Sequence, residues 1–212
     1  MSDAAVRSPR TILTLVRHGE TSANLDGVWH GSSDTPLTEH GEHQARCVAR
    51  FLGQHGADAT EVYASPLRRA RSTASPIASQ LGLEARIDPD LREYDIGGWE
   101  GKTFQELQEV HGLWDRIAAD PDFAAHGGES PRQVVRRMTA CLRELHARHA
   151  GERIIIVTHG GALSLALGSL LASSDSRFAH VMSNCAVTEL VLEPEPELLS
   201  FNVAAHLEEL GQ

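Results

Sequence analysis

Lysine is almost missing from this 212-residue chain: Lys102 is the only one, and arginine supplies the rest of its 19 basic residues. Against 29 acidic residues the formal net charge is −10, so the chain lacks the broad basic surface with which proteins hold DNA or RNA, and no nucleic-acid partner is expected. Long apolar runs are lacking too. None approaches the ~20 residues needed to cross a bilayer, and no membrane partner is expected. Cysteine is scarce: Cys47, Cys141 and Cys185 are odd in number and widely spaced, with no C-x-x-C pair for zinc or redox work, and read as buried reduced thiols. Residues 1–10 are polar without the apolar centre of a secretory leader, which reads as a short disordered lead-in and makes the cytoplasm the expected location. With no internal repeat, low-complexity tract or interior linker, one domain over residues 11–207 is expected. Two common catalytic motifs are also missing, the G-x-S-x-G serine elbow and the G-x-x-x-x-G-K-[ST] nucleotide loop.

What is present is an alternation of strand and helix patterns. Residues 12–16 and 154–157 are short β-branched apolar runs without alternation, as expected of central strands buried on both faces. Weaker strands are expected at 61–64, 86–88, 186–192 and 199–203, the last two joined through Pro194 and Pro196 at a sheet edge. Ser130, Pro131 and Gln133 carry an N-cap, a first-turn proline and a capping-box glutamine, and open a helix to about residue 150. Ser65 and Pro66 are expected to open another, to about Leu81. Thr38 can cap a third over 43–54, and residues 160–171 form a fourth. Such an order implies an α/β protein, a three-layer α/β/α sandwich with a mostly parallel central sheet.

The first strong strand ends in Arg17-His18-Gly19-Glu20 and the second in Thr158-His159-Gly160-Gly161. Ligands of parallel α/β sheets bind at the carboxyl ends of the strands, so two central strands delivering one histidine each would set both imidazoles in one crevice. The following glycines let backbone N–H groups approach an anion. An arginine beside the first histidine points to phosphate, because guanidinium forks match phosphate oxygens and stay charged.

Six stretches in order resemble the histidine phosphatase superfamily, with its phosphoglycerate mutase-like fold, over nearly the whole chain. They are Leu15-Val16-Arg17-His18-Gly19-Glu20-Thr21 with Asn24; Asp34-Thr35-Pro36-Leu37-Thr38 with Gly41, Gln44 and Ala45; Ser65-Pro66-Leu67-Arg68-Arg69-Ala70 with Thr73; Leu91-Arg92-Glu93-Tyr94-Asp95-Ile96-Gly97; Gly127-Gly128-Glu129-Ser130; and Val157-Thr158-His159-Gly160-Gly161. The resemblance implies that His18 is the nucleophile and forms a phosphohistidine, a role its neutral nitrogen suits once a hydrogen bond to the other nitrogen fixes the tautomer. It further implies that Arg17, Arg69 and His159 surround the transferred phosphoryl and that Asn24 adds a neutral donor, with no metal or other cofactor required. Glu93 matches the general acid, protonating the leaving oxygen and then activating water. That role calls for a pKa raised above the ordinary ~4.3, which partial burial and a dianionic substrate would provide. Glu20 and Ser65 match positions that support the histidine geometry, and Thr21, His30, Gly31, Gly160 and Tyr94 are expected to meet the substrate. Trp29 with His30 and Gly31 lies on a loop that borders the substrate in relatives.

The remaining histidines read as structural. His40 with His43 and His146 with His149 are spaced i, i+3, but each pair is expected on a charged helix face without a third metal ligand, and His206 is read as structural. Relatives that act as mutases carry arginine and tyrosine just after the acid, in a Glu-Arg-His-Tyr-Gly pattern that holds the substrate carboxylate. Here Glu93-Tyr94-Asp95-Ile96-Gly97 has neither at the matching positions. A mutase has to retain a bisphosphate while it reorients, so this stretch favours water as acceptor and a phosphatase of small phosphate monoesters. The alternatives are a mutase-type phosphotransferase and a catalytically silent phospho-ligand-binding module. Residues 104–128 are expected to form a lid, and their Trp114, Ile117 and Phe123 suggest a partly apolar leaving group. The expected partner is a small phosphorylated metabolite such as a sugar phosphate, a phosphorylated cofactor precursor or a phosphoglycerate derivative, and a homodimer is a family-level expectation.

Overall fold

The computed structural model describes residues 9–171 and 180–211. The chain runs β1 (Ile12–Arg17), α1 (Ser22–Leu25), α2 (Glu39–His55), β2 (Ala59–Ala64), α3 (Arg68–Leu81), β3 (Ala85–Ile87), α4 (Phe104–Glu109), α5 (Leu113–Ala119), α6 (Pro131–Arg148), β4 (Arg153–Thr158), α7 (Gly160–Leu170), β5 (Val187–Val191) and β6 (Glu197–Val203), with short 3-10 turns at Pro89–Leu91, Gly97–Trp99 and Ala205–Gly211. The strands form one sheet in the order β3-β2-β4-β1-β5-β6. β3, β2, β4 and β1 are parallel neighbours, whereas β5 and β6 run antiparallel at the other side. The two strong apolar runs are therefore adjacent central strands, in register from Ile12 opposite Arg153 to Arg17 opposite Thr158. All six expected strands form, with β6 at one edge and β3 at the other.

Helices cover both faces, because the central strands are apolar on both. Leu13, Leu15, Ile154 and Ile156 pack with Val134, Met138 and Leu142 of α6 and Leu163 and Leu167 of α7. Val16, Val62, Ile155 and Val157 pack with Val48 and Leu52 of α2 and Ala74 and Ile77 of α3. Each such side chain, taken fully out of water, contributes about 1.5–3 kcal/mol.

Capping sets several helix starts. Ser130 and Gln133 exchange the two bonds of a capping box at the head of α6, and the Thr38 hydroxyl accepts from the Gly41 N–H at 2.9 Å. The helix after Ser65 differs from expectation: it begins at Arg68, with Leu67 as an N-cap that makes no side-chain bond. The Ser65 hydroxyl accepts from His159 at 2.7 Å and from the Leu67 N–H at 3.3 Å, so the serine serves the crevice and the turn before the helix, not a cap on its first turn. Residues 104–128 hold α4 and α5, whose Leu107, Leu113 and Ile117 are buried in the same core as one sheet face. Of the polar lead-in, residues 1–8 lie outside the described residues, and Arg10 pairs with Glu197 at 2.7 Å.

Candidate active site

Three adjacent strands deliver three polar residues to one crevice: His18 follows β1, His159 follows β4 and Ser65 follows β2. Their backbones are knitted together by His18 N–H to Thr158 O and Ser65 N–H to Val157 O, both 3.0 Å. The rings of His18 and His159 lie 5.1 Å apart, and the ring of His30 meets His18 edge-on at 5.9 Å. His18 Nδ1 lies 2.7 Å from the Gly19 carbonyl. A carbonyl only accepts, so Nδ1 carries the proton and Nε2 keeps its lone pair. The Gly19 peptide is held in turn by its N–H donating to Thr73 Oγ1 at 2.9 Å, and the Thr73 hydroxyl donates to Arg69 O at 2.8 Å. Only glycine fits at position 19, because a Cβ there would stand 2.6 Å from the Gly41 carbonyl oxygen.

Arg69 is fully buried. Its Nη1 and Nη2 donate to Ser33 O and Gly31 O at 2.6 Å each, and its Nε donates to His159 Nδ1 at 3.2 Å. His159 is thereby assigned as the Nε2–H tautomer, donating to Ser65 Oγ. Arg17 donates from Nη1 to Met182 O at 2.5 Å, but its Nε is buried without a partner, as is Nδ1 of His30. A buried N–H without a partner, as on Arg17, is rare and asks for a ligand. Burial lowers the Arg69 pKa to about 10, so the group remains cationic near neutrality. Burial first, and the two guanidinium charges second, push His18 well below its ordinary 6.5. Burial, then Arg69 and the neighbouring histidines, do the same to His159. His30 falls to about 3 through burial and both arginines. The crevice thus holds neutral imidazoles between fixed positive charges.

Glu93 is brought over this crevice by a segment pinned at two places. The Thr158 hydroxyl donates to Leu91 O at 2.6 Å. Arg137, paired with both carboxylate oxygens of Glu129, donates to the carbonyls of Asp90 and Arg92 at 2.7 and 2.9 Å. The Glu93 carboxylate caps α7: Oε1 accepts from Ala162 N–H at 2.6 Å and from its neighbour Tyr94 N–H at 2.7 Å, and Oε2 accepts from Gly161 N–H at 3.0 Å. Burial is what the sequence leads one to expect of this acid; its position on the positive end of a helix is not. The amides after His159 are therefore filled in this structure by the protein's own carboxylate. A Cβ on Gly161 would come within 2.9 Å of that carboxylate and 3.1 Å of the Trp29 ring, which places Trp29 beside Glu93.

His18, Arg17, Arg69, His159, Glu93, Ser65, His30, Gly31 and Gly160 are brought together as expected, Gly160 with its Cα facing the Arg17 guanidinium. Three others are placed elsewhere. The ring of Tyr94 is buried in the core, edge-on to Trp29 at 5.7 Å. Thr21 is wholly buried and spends its hydroxyl as the N-cap of α1. Glu20 touches neither histidine and instead accepts from the Thr38 hydroxyl at 2.8 Å. Asn24 lies at the rim, within the capping box of Thr21. Two residues were not foreseen in these roles: Thr73, which orients Gly19, and Asn184, which donates to His18 O at 2.9 Å. Neither follows from local pattern, since each acts on a residue at least 54 positions away in the chain.

The other histidines resolve differently by pair. His40 and His43 are exposed on α2, but His146 and His149 are buried, against the expectation of a charged outer face. His149 is drawn inward by Tyr63, whose hydroxyl meets Nε2 at 2.9 Å. His206 meets the Cys185 carbonyl at 3.0 Å and stacks on Phe51. No helix among the described residues is long and apolar enough to cross a membrane.

The family model of the histidine phosphatase superfamily (branch 1) matches residues 13–203. Among curated relatives, a probable phosphoglycerate mutase GpmB of Cronobacter sakazakii is 35% identical over 191 residues, 88% of this chain and 87% of that protein. Among solved structures, a phosphoserine phosphatase mutant from Entamoeba histolytica in complex with phosphoserine superposes with a TM-score of 0.83 at 30% identity, over 93% of this chain and 99% of that one. A mycobacterial glucosyl-3-phosphoglycerate phosphatase complexed with VO3 gives 0.78 at 30% identity, over 92% and 100%.

Proposed function

Since the chain belongs to the histidine phosphatase superfamily, whose members among its relatives are phosphatases and probable mutases, we propose that it hydrolyses small phosphate monoesters through a phosphohistidine on His18. The observation that carries this reading is the pairing of a tautomer-fixed His18, its Nδ1–H tied to Gly19 O, with the unpaired buried N–H of Arg17 Nε and the unpartnered Nδ1 of His30. Nε2 attacks phosphorus as the bond to the ester oxygen breaks, and a protonated Glu93 gives its proton to the departing alkoxide. The Glu93 carboxylate then takes a proton from water, whose oxygen attacks phosphorus as the P–N bond breaks, releasing inorganic phosphate and free His18. Arg17 and Arg69 neutralise charge on the phosphoryl oxygens, the work that a metal does in other phosphoryl transfers, so the reaction needs no added cation. His159 contributes by holding the Arg69 fork and the Ser65 hydroxyl beside the nucleophile.

Water is the acceptor that the surroundings favour. The segment after Glu93 turns Tyr94 into the core, and Asp95 accepts from Gly97 N–H at 2.7 Å. Arg92 and Arg137, the basic side chains tied to this segment, are bound to Glu129. None of these groups holds a second anion while a bisphosphate reorients. The mutase reading is kept by the GpmB-type relatives. A panel of phosphomonoesters assayed in EDTA, with His18→Ala as control, separates the two. Release of phosphate that EDTA leaves intact and His18→Ala abolishes is the expected result. Isomerisation of 3-phosphoglycerate after priming with its bisphosphate, without net release, would make the protein a mutase.

A further inference from the structure

The segment before β5 is wired to the nucleophile strand at three points. Met182 O accepts from Arg17 Nη1, Cys185 N–H donates to Arg17 O at 2.9 Å, and Asn184 Nδ2 donates both to His18 O at 2.9 Å and to Asn24 Oδ1 at 3.2 Å. We infer that Asn184 is a positioning residue: it fixes the Asn24 amide so that the Asn24 NH2 is offered to the phosphoryl group. The inference rests on the proposed phosphatase reading and on Asn24 as a donor to the phosphoryl group, the role that the family resemblance implies for it.

The orientation of both amides follows from backbone groups. The end of Asn24 that faces the Thr21 N–H at 3.1 Å has to be oxygen, since a peptide N–H only donates. The end of Asn184 that faces the His18 carbonyl has to be the NH2, since a carbonyl only accepts. That NH2 has two hydrogens, one for His18 O and one for Asn24 Oδ1. The Thr21 hydroxyl adds a third donor to Asn24 Oδ1 at 3.0 Å. With its oxygen taken by three donors, Asn24 keeps the other end of its amide, the NH2, for the phosphoryl group. One nitrogen atom of Asn184 therefore couples the backbone of the nucleophile to the orientation of a neutral donor.

Orthovanadate binding, followed by calorimetry and so independent of turnover, tests this with Asn24→Ala, Asn184→Ala, Asn184→Ser and the double variant Asn24→Ala with Asn184→Ala. Loss of one hydrogen bond to an anion weakens binding about tenfold for Asn24→Ala, and the loosened amide about fivefold for either Asn184 variant. The double variant is expected to bind no more weakly than Asn24→Ala alone, because the two groups act in series. Losses that multiply in the double variant would show that Asn184 acts through the His18 peptide and overturn the inference. So would wild-type affinity in both Asn184 variants. Wild-type affinity in Asn24→Ala would instead remove the phosphoryl role of Asn24 on which the inference stands.

Discussion

Two buried histidine clusters of this protein are built from similar parts and come out differently. Near the start of β4, His149 sits between the Tyr63 hydroxyl at 2.9 Å and Glu152 at 3.0 Å, and Glu152 also accepts from the Thr60 hydroxyl at 2.6 Å. Both ring nitrogens are matched, and one carboxylate stands by one imidazole. At the carboxyl ends of the strands, three imidazoles share a crevice with two guanidinium groups, and Nε of Arg17 and Nδ1 of His30 have no partner. The first cluster has its ring nitrogens matched as folded; the second leaves buried nitrogens unmatched, as the proposed phosphate ester would require. What sets the second apart is the convergence of unmatched buried nitrogens with two guanidinium charges in one crevice, since single unpartnered atoms also occur elsewhere, as on Ser164 and His206.

The comparison breaks most sharply at His18, the proposed nucleophile. His18→Ala is expected to lower turnover by at least about 10³-fold while the fold persists, read by phosphate release and by thermal melting. Arg69→Ala is expected to remove activity and also to cost about 3 kcal/mol of stability in urea unfolding, because the buried carbonyls of Gly31 and Ser33 and Nδ1 of His159 lose their donor. Filling the crevice acts in the other direction. Orthovanadate at 100 times its dissociation constant should stabilise the fold by about 2.7 kcal/mol, raising the melting temperature by several degrees. His149→Ala is the counterpart in the complete cluster: a loss of about 2 kcal/mol, as the Tyr63 hydroxyl and the Glu152 carboxylate each lose a partner, with the rate of phosphate release unchanged.

The smallest effect, per unit of pH, sharpens the electrostatic side. His18 and His159 are held neutral with folded-state values below 6.5. Below pH 6.5 the unfolded chain therefore binds protons that the folded one refuses, and stability present above pH 6.5 is lost as pH falls. Each of these two histidines is expected to contribute a slope of about 1.4 kcal/mol per pH unit below 6.5. Melting curves between pH 7 and pH 5 measure it, and saturating orthovanadate should flatten it, since a bound anion favours the protonated rings.

Much of the fold was legible because it is written in short-range chemistry. The apolar runs of β1 and β4, the capping box of Ser130 and Gln133, and the proline and glycine punctuation all act within a few residues. That His18 and Glu93 meet in one crevice was legible through motifs that follow in order along the chain. What misled was also local. Ser65 followed by Pro66 looks like a helix start, but its hydroxyl belongs to His159. His146 and His149 look like an outer helix face, yet Tyr63 and the core draw them inward. Thr21, Glu20 and Tyr94 lie in or beside the right motifs, but their side chains are consumed by a cap, by Thr38 and by the core.

By itself the sequence determined which segments become central strands and which residues end them, because β-branched apolar runs bury on both faces and a glycine must follow where backbones meet. Only the tertiary structure decided how those residues are held: the Gly19 peptide beside His18 by Thr73, Asn24 by Asn184, Glu93 on the head of α7. These partners are tens to more than a hundred residues apart, and hydrogen bonds of 2.6–3.2 Å between them exist only once the sheet has closed their separation in space.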